Sequence, residues 1–200
     1  MKMYTCITND YDIPADPALL GIQPPTHLLA LPVLGARFAK VMSHTYFPEE
    51  PETLWVDGNN LILDKEAYIA ICREMHADIV VFKHPYRQEL HEEFEPAKTR
   101  VPSRYHPCMK DLQDIVEQNK ELRQLPLYDT GIVYRRKTPL LSKFEMIWWS
   151  LICRYSWRDQ LSFPIAAAVT GISVAGLTGD IRHNPMITHL EHANDIMKGQ

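Results

Sequence analysis

The strongest constraint on the fold is a short, uninterrupted apolar run at residues 79–82, Ile-Val-Val-Phe. A run of this length without polar alternation is typical of a strand that is buried on both faces. It follows an amphipathic stretch at residues 65–75, where apolar residues including Ile71 and Met75 recur at helical spacing after Asp64, a capping residue. A strand buried on both faces needs a layer of helices on each side, so this segment predicts a sheet enclosed by helices.

Strands and helices alternate along the rest of the chain. The predicted strands cover residues 3–8, 53–56, 79–82 and 132–134, and the predicted helices cover residues 36–46, 65–75, 110–123 and 143–155. The last helix has the clearest pattern, because apolar residues recur at every third and fourth position. The third helix places Ile115 on its apolar face, and a turn is predicted at residues 129–131. This alternation predicts an α/β fold with a mostly parallel sheet flanked by helices.

The composition excludes several classes of protein. The chain has 200 residues, of which 46% are apolar, and a formal net charge of -4, which gives no overall field toward nucleic acid or an anionic membrane. The longest apolar stretch, at residues 163–177, is interrupted by glycines and is too short to span a bilayer. The four cysteines are scattered, which is typical of reduced thiols in a cytoplasm. We therefore expect a single cytoplasmic domain over residues 1–200 without a membrane span.

Two acidic turns stand at the carboxyl ends of predicted strands, where ligands bind in open α/β sheets. Residues 9–12 follow the first strand, and residues 57–60 follow the second. Asp57 and Asn59 offer oxygen ligands on either side of a glycine, which suits Mg²⁺ or Mn²⁺ with open positions for phosphate oxygens. The alternative is an ordinary turn, since Asp, Gly and Asn favour turns for conformational reasons.

A further acid, Asp159, follows the last predicted helix and is flanked by Arg158 and Gln160. A carboxylate at the end of a rigid element suits a catalytic or acceptor-binding role, and the alternative is an ion pair that orders the helix end. On the same helix, Trp148 continues the apolar stripe and is predicted to be buried. Trp149 lies about 100° around the helix, where it either stacks on a sugar ring or makes a second core contact.

Basic residues and histidines supply further candidates. Arg37 and Lys40 are one helical turn apart and suit charge-assisted bonds to phosphates, although a solvated helix face is the simpler interpretation. A neutral imidazole near the C-terminus, such as His192, is suited to complete a metal site begun by Asp57. The P-loop, dinucleotide-binding, nucleophile-elbow and zincin motifs are absent from the sequence.

Taken together, these segments resemble one known family. The matching segments are residues 4–12, 39–44, 54–59, 82–87, 92–93, 128–136 and 148–163. The most specific of them contains Trp148-Trp149 and, at residues 158–163, Arg-Asp-Gln-Leu-Ser-Phe. Over nearly its whole length the chain resembles the glycosyltransferase-like domain found in plant mucilage-related proteins and in bacterial capsule and surface-polysaccharide loci. It departs from that family at residues 14–33, where the usual second strand is not evident.

The resemblance implies a GT-A-like, Rossmann-related fold and a metal-dependent enzyme. Such an enzyme transfers a hexose or pentose from a nucleotide-diphosphate sugar to a polysaccharide or another glycan. The resemblance implies a Mn²⁺ or Mg²⁺ site at Asp57 and Asn59, with His192 as a further candidate ligand. Asp159 is the candidate catalytic residue, which would contact the transferred sugar or act as a base. The candidate nucleotide-binding residues are Thr8, Asp12, Arg37 and Lys40, and the candidate substrate-binding residues are His84, Arg87, Trp149, Arg158 and Gln160.

Two other functions stay open on the sequence alone. If the gene is viral, the acceptor could be a hydroxylated base in DNA, as for phage-type DNA-modifying glycosyltransferases. A module of the same fold could also bind or assemble glycans without turnover. Assays of donor hydrolysis and of sugar transfer distinguish an enzyme from such a module.

Overall fold

A six-stranded sheet forms the centre of the protein, with helices on both of its faces. The structure is a computed structural model that describes residues 1–9 and 12–190. Its strands are β1 (Lys2–Thr5), β2 (Leu20–Gly21), β3 (Glu52–Val56), β4 (Asn60–Ile62), β5 (Ile79–Lys83), β6 (Tyr128–Arg136), β7 (Val174–Leu177) and β8 (Ile187–His189). Its helices are α1 (Pro32–Val41), α2 (Ser43–Tyr46), α3 (Lys65–Glu74), α4 (Phe94–Lys98), α5 (His106–Gln118), α6 (Lys120–Arg123), α7 (Leu141–Arg154) and α8 (Asp159–Thr170). Short 3₁₀ helices cover Thr26–Leu28, Leu90–Glu93, Ser103–Tyr105 and Ile181–His183.

The order of the strands is β2-β1-β3-β6-β5-β7. Strand β1 pairs in parallel with β2 and β3, and β5 pairs in parallel with β7. Strand β6 runs antiparallel to both of its neighbours, β3 and β5. Strands β4 and β8 form a separate antiparallel pair. The predicted α/β fold with a mostly parallel sheet flanked by helices is therefore confirmed.

The central strands are buried on both faces because successive side chains point into different hydrophobic clusters. Along β3, Trp55 belongs to one cluster, whereas Leu54 and Val56 belong to the other. Along β5, Val81 lies on the first side, and Val80 lies on the second. Successive side chains of a strand point to opposite faces of the sheet. Because both faces are buried here, every position of the run at residues 79–82 is apolar.

Different elements cover the two faces of the sheet. Ala39 of α1, Trp148 of α7 and Phe163 of α8 pack into the first cluster. Helix α3 and the β4–β8 pair pack into the second. Helix α3 matches the prediction, and the Asp64 side chain accepts a hydrogen bond from the backbone N–H of Ala67 at 2.9 Å, as expected for an N-cap.

Two predicted helices are each divided in the structure. The helix predicted at residues 36–46 forms as α1 and α2, because Met42 between them has a non-helical backbone with ψ of 51°. The helix predicted at residues 110–123 forms as α5 and α6, because Asn119 is extended and its side chain caps the second helix. Ile71 and Met75 of the helix predicted at residues 65–75 and Ile115 of α5 are exposed, so the apolar faces predicted for α3 and α5 are wrong in part.

The turn predicted at residues 129–131 is wrong, because these residues form the first half of β6. Asp and Gly favour turns, but here they lie in a strand that is closely packed by its neighbours. A Cβ atom on Gly131 would lie 3.2 Å from Asp129 Oδ1 and 3.3 Å from Ile181 Cδ1, so a small residue is required for close packing. The strand therefore carries polar and small residues at its start, apolar residues in its middle and two arginines at its end.

The proline-rich segment at residues 14–33 does contain a second strand. Strand β2 is only two residues long and extends the sheet by pairing Leu20 with Tyr4 and Gly21 with Thr5.

Throughout the described residues, no helix has the length and apolar character that crossing a membrane requires.

Candidate functional site

A large cavity opens at one edge of the sheet, where the carboxyl ends of β1 and β3 meet the amino end of the antiparallel strand β6. Its volume is about 530 Å³. Its walls come from the segment after β1, helix α1, the turn after β3, the start of β6, the start of α8 and the segment that precedes and includes β8. This is the edge at which ligands bind in open α/β sheets.

The cavity brings together most of the residues singled out from the sequence. Those that line it are Thr8, Asp12, Arg37, Lys40, Asp57, Asn59, Arg158, Asp159 and Gln160. Three others, His84, Arg87 and Trp149, lie outside its lining. The remaining candidate, His192, lies outside the described residues. Residues that were far apart in the sequence therefore converge on a single site.

Lys40 is the centre of this site. Its side chain is almost completely buried, yet its ammonium group lies 2.7 Å from Asp159 Oδ2 and 3.4 Å from Asp57 Oδ1. It also donates a hydrogen bond to the Thr130 hydroxyl at 3.2 Å, and that hydroxyl in turn donates to Asp159 Oδ2 at 2.8 Å. Two carboxylates from different elements thus share one buried cation, which compensates the cost of removing the charges from water.

Asp159 is held as a carboxylate by its surroundings. Burial acts to raise its pKa, but the nearby charges of Arg37 and Lys40 outweigh burial and hold the pKa well below its usual range. Arg37 lies 3.4 Å from Asp159 Oδ1 and also donates to the backbone carbonyl of Trp157 at 3.2 Å. At any pH near neutrality the site therefore contains a fixed negative charge at this position.

The sequence placed Asp159 at the end of the preceding helix, whereas it begins the next one. Arg158 is the N-cap of α8, and Asp159 and Gln160 lie in its first turn. An acid in this position is favoured by the helix dipole. Gln160 is buried, and among the described residues its Oε1 atom has no hydrogen-bond partner. Gln160 also lines the cavity.

The turn at Asp57 is tightly packed against the segment that follows the first strand. Asp57 Oδ1 accepts a hydrogen bond from the indole of Trp55 at 2.6 Å, and a Cβ atom on Gly58 would lie only 3.0 Å from Ile7 Cδ1. Asp57 and Asn59 both face the cavity, and their oxygens are the type of donor that Mg²⁺ and Mn²⁺ prefer. The pair therefore fits a cation that takes its other ligands from water and substrate.

Within residues 1–9 and 12–190, no three His, Cys, Asp or Glu side chains are grouped so that they could hold a metal ion. His189 lines the cavity beside the turn, with Nδ1 at 2.8 Å from Asn60 Oδ1 and Nε2 at 3.5 Å from Asn59 Nδ2. His189 is therefore a described histidine beside the turn, whereas His192, the candidate ligand from the sequence, lies outside the described residues.

Several lining residues were not identified as functional from the sequence. Asp129 and Thr130 were assigned to a turn, although they stand on β6 at the floor of the cavity. Arg182 reaches the cavity from the segment after β7, with Nη1 at 3.9 Å from Asp129 Oδ2 and 3.6 Å from Asp180 Oδ1. No local pattern marks Arg182, because only the folded chain brings this segment to the cavity.

The two tryptophans of α7 have the burial that the sequence predicts. Trp148 is fully buried, and its indole donates to the backbone carbonyl of Asp159 at 3.0 Å. Trp149 is partly buried and packs edge-to-face on Phe38 of α1, with ring centroids 5.1 Å apart. Trp148 therefore supports the site from behind, and Trp149 contacts α1 rather than the cavity.

One of three comparisons with known proteins shows the family of this chain. No curated protein sequence matches the chain. Mouse xyloside xylosyltransferase 1, solved in its apo form, is similar with a TM-score of 0.45 and 12% sequence identity, over 85% of this chain and 56% of the mouse chain. The chain therefore spans only slightly more than half of that structure. A family model described as "TOD1/MUCI70, glycosyltransferase-like domain" matches residues 32–173.

Proposed function

Because the chain belongs to the TOD1/MUCI70 glycosyltransferase-like domain family, we propose that it is a glycosyltransferase whose active site is the cavity at the β1–β3–β6 edge. The donor in this proposal is a nucleotide-diphosphate sugar, either a hexose or a pentose, and the acceptor is a hydroxyl group of a polysaccharide or another glycan. The reaction breaks the bond between the anomeric carbon and the diphosphate and forms a bond to the acceptor oxygen.

The observation that carries the proposal is the convergence of Lys40, Asp57 and Asp159 in one cavity. Sugar transfer develops positive charge on the ring and negative charge on the leaving diphosphate. A fixed carboxylate and fixed cations held within a few ångströms of each other suit both charges. The buried polar network orients these groups before a ligand arrives, which is what electrostatic stabilisation of a transition state requires.

The low pKa of Asp159 favours one of its two possible roles. A general base is most effective when its pKa lies near the working pH, and burial of Asp159 beside Arg37 and Lys40 holds its pKa far below that range. A carboxylate that stays ionised is instead well suited to stabilise positive charge on the sugar. We therefore assign Asp159 to contact with the transferred sugar, with Gln160 and Arg158 beside it.

The balance of charges in the cavity supports a donor whose binding depends on a metal ion. The described lining contains four basic side chains, Arg37, Lys40, Arg158 and Arg182, and four acidic side chains, Asp12, Asp57, Asp129 and Asp159. The lining therefore has no positive surplus with which to neutralise a diphosphate. Mn²⁺ or Mg²⁺ held by Asp57 and Asn59 would supply that charge as a Lewis acid.

A screen of nucleotide sugars by thermal shift, with Mn²⁺ or with a chelator, tests the proposal. A ligand that binds only the folded state raises the melting temperature, by the equivalent of about 2.7 kcal/mol at a hundred times its Kd. We expect one nucleotide class to stabilise the protein, and more strongly with Mn²⁺. Donor hydrolysis or transfer is then measured with that nucleotide. If no nucleotide sugar stabilises the protein in either condition, the proposed donor class is wrong.

A further inference from the structure

Behind the cavity lies a buried acid that does not touch it. Glu93, at the end of the 3₁₀ helix Leu90–Glu93, is completely buried. Its Oε1 accepts two hydrogen bonds from the Arg158 guanidinium, from Nε at 3.1 Å and from Nη2 at 3.0 Å. Its Oε2 lies 2.7 Å from Nε of Arg87. One carboxylate is thus shared between two arginines, of which only Arg158 lines the cavity.

The sharing has an electrostatic consequence for Arg158. A single negative charge shared between two guanidinium groups leaves Arg158 only partly neutralised by Glu93. Arg158 also helps to lower the pKa of the neighbouring Arg100, after burial, which is the main cause. Arg158 is therefore both fixed in place and still electropositive, which is the state that favours contact with an anionic or oxygen-rich group of a ligand.

The region around Glu93 is itself ordered by local bonds. Nδ1 of His84 accepts hydrogen bonds from the backbone N–H groups of Tyr86 at 3.2 Å and Arg87 at 3.1 Å. Burial and then the charge of Arg87 lower the pKa of His84, which keeps the imidazole neutral and preserves its role as an acceptor.

We propose that Glu93 is a positioning residue of this active site, which acts on a bound ligand through the Arg158 guanidinium. It holds one edge of the guanidinium, through Nε and Nη2, so that the remaining N–H groups face the cavity. His84 and Arg87, assigned to substrate binding from the sequence, support Glu93 from the side away from the cavity. The identity of the ligand in this inference rests on the proposed function, whereas the placement of Arg158 by Glu93 does not.

The geometry is tested by NMR without any ligand. In protein labelled with ¹⁵N-arginine, the Nε–H signal of Arg158 is identified by its loss in Arg158→Lys. We expect its exchange with water to be at least tenfold faster in Glu93→Gln, because the acceptor of the hydrogen bond loses its charge. The control is Glu52→Gln, which removes the charge of another arginine-binding carboxylate, paired with Arg73 away from the cavity. An Arg158 signal that is unchanged in Glu93→Gln overturns the proposal.

The action on a ligand is tested by calorimetry with UDP-, GDP-, ADP- and CDP-glucose in separate titrations, each with Mn²⁺. For the nucleotide sugar that binds, Glu93→Gln and Arg158→Gln should each weaken the affinity by about tenfold, the scale of a lost supporting residue. The double variant should be no weaker than the weaker single variant, because Glu93 acts only through Arg158. Additive losses of about a hundredfold in the double variant contradict this.

A third variant keeps the test decisive if Glu93→Gln does not fold. Glu93→Asp retains the buried negative charge but shortens the side chain by one methylene, so it should produce the same two changes at smaller size. Wild-type exchange and wild-type affinity in Glu93→Asp overturn the proposal. If none of the four nucleotide sugars binds the wild type, the proposed donor class is wrong. The Arg158 signal then still decides whether Glu93 positions the Arg158 guanidinium.

Discussion

Lys40 illustrates how much of the site is visible at the scale of single residues. The sequence identified Lys40 and Arg37 as a basic pair on a helix, and it identified Asp57 as an acid after a strand. It did not reveal that the ammonium group of Lys40 is buried, or that Asp159 and Thr130 complete its environment. Lys40 and Thr130 are 90 positions apart, and no local pattern predicts a contact of that separation.

Replacing Asp159 tests the fixed carboxylate. Asp159→Asn keeps the shape but leaves the buried ammonium of Lys40 with one acid fewer. Removing one partner of a buried pair costs about 3 to 5 kcal/mol, so the free energy of unfolding should fall by that order. Turnover of the folded fraction should fall by roughly a hundredfold, the order seen for a lost electrostatic group. Both quantities are measured on one preparation. An active but less stable variant removes Asp159 from the reaction and leaves it a structural role.

Replacing Asp57 tests the metal. Asp57→Ala removes a hard oxygen ligand and the acceptor of the Trp55 indole, while Asp159 still pairs with Lys40. Donor binding by the wild type should strengthen with Mn²⁺, and the variant should lose that dependence while it stays folded. Calorimetric titrations in Mn²⁺ and in chelator measure it. Equal donor affinity of the wild type in the two buffers contradicts the metal proposal.

Helices α7 and α8 show what periodicity reveals at the scale of elements. Helix α7 has a buried and an exposed side, so its apolar stripe was recognised from the sequence. Helix α8 was missed, because it is buried on nearly all sides from Asp159 to Ala166 and so has no polar face to create a period. Strand β6 was recognised only where it is apolar, because its first half serves the cavity. Sequence patterns therefore fail where an element is enclosed or functional.

The two adjacent tryptophans of α7 provide a test at this scale. Trp148 is fully buried and bonds to the backbone of α8, so Trp148→Ala should lower the free energy of unfolding by about 3 to 5 kcal/mol. Trp149→Ala should cost less, because Trp149 is only partly buried against Phe38. Urea unfolding of both variants measures the difference. If Trp149→Ala were the less stable variant, α7 would have to pack on the sheet through its Trp149 side.

At the scale of the whole molecule, stability should decline toward acid. The charges of Arg37 and Lys40 outweigh burial and hold the pKa of Asp159 well below its usual range. Burial opposes a similar shift at Asp180, where the N–H of Arg182 and the hydroxyl of Tyr86 lower the pKa to about 2. A carboxyl group whose pKa is lower when folded stabilises the protein above its unfolded pKa, near 4. This contribution is lost as pH falls through the folded value. Melting temperatures should therefore fall below about pH 4, and less steeply in Asp159→Asn.

Stability should also decline toward alkali, for the opposite reason. Burial raises the pKa of Cys6 to about 11, and it raises the pKa of Cys72 to about 12. A thiol whose pKa is higher when folded contributes stability below its unfolded pKa, about 8.5, and loses it as pH rises through the folded value. The melting temperature should therefore fall between about pH 9 and 11. The alkaline slope should be shallower in Cys72→Ala, and an identical slope would assign the decline to other groups.

The family match also divides the cavity into two parts. Residues 32–173 supply its floor, with the Lys40–Asp159 pair, the Asp57 turn and the start of β6. The side walls lie outside the match: Thr8 and Asp12 stand on one side, and Arg182 and His189 stand on the other. Strand β8, which ends at His189, pairs with β4 and not with the six-stranded sheet. Under the proposed function, a change at these walls would alter which sugar the cavity admits and leave the residues that the family model matches untouched.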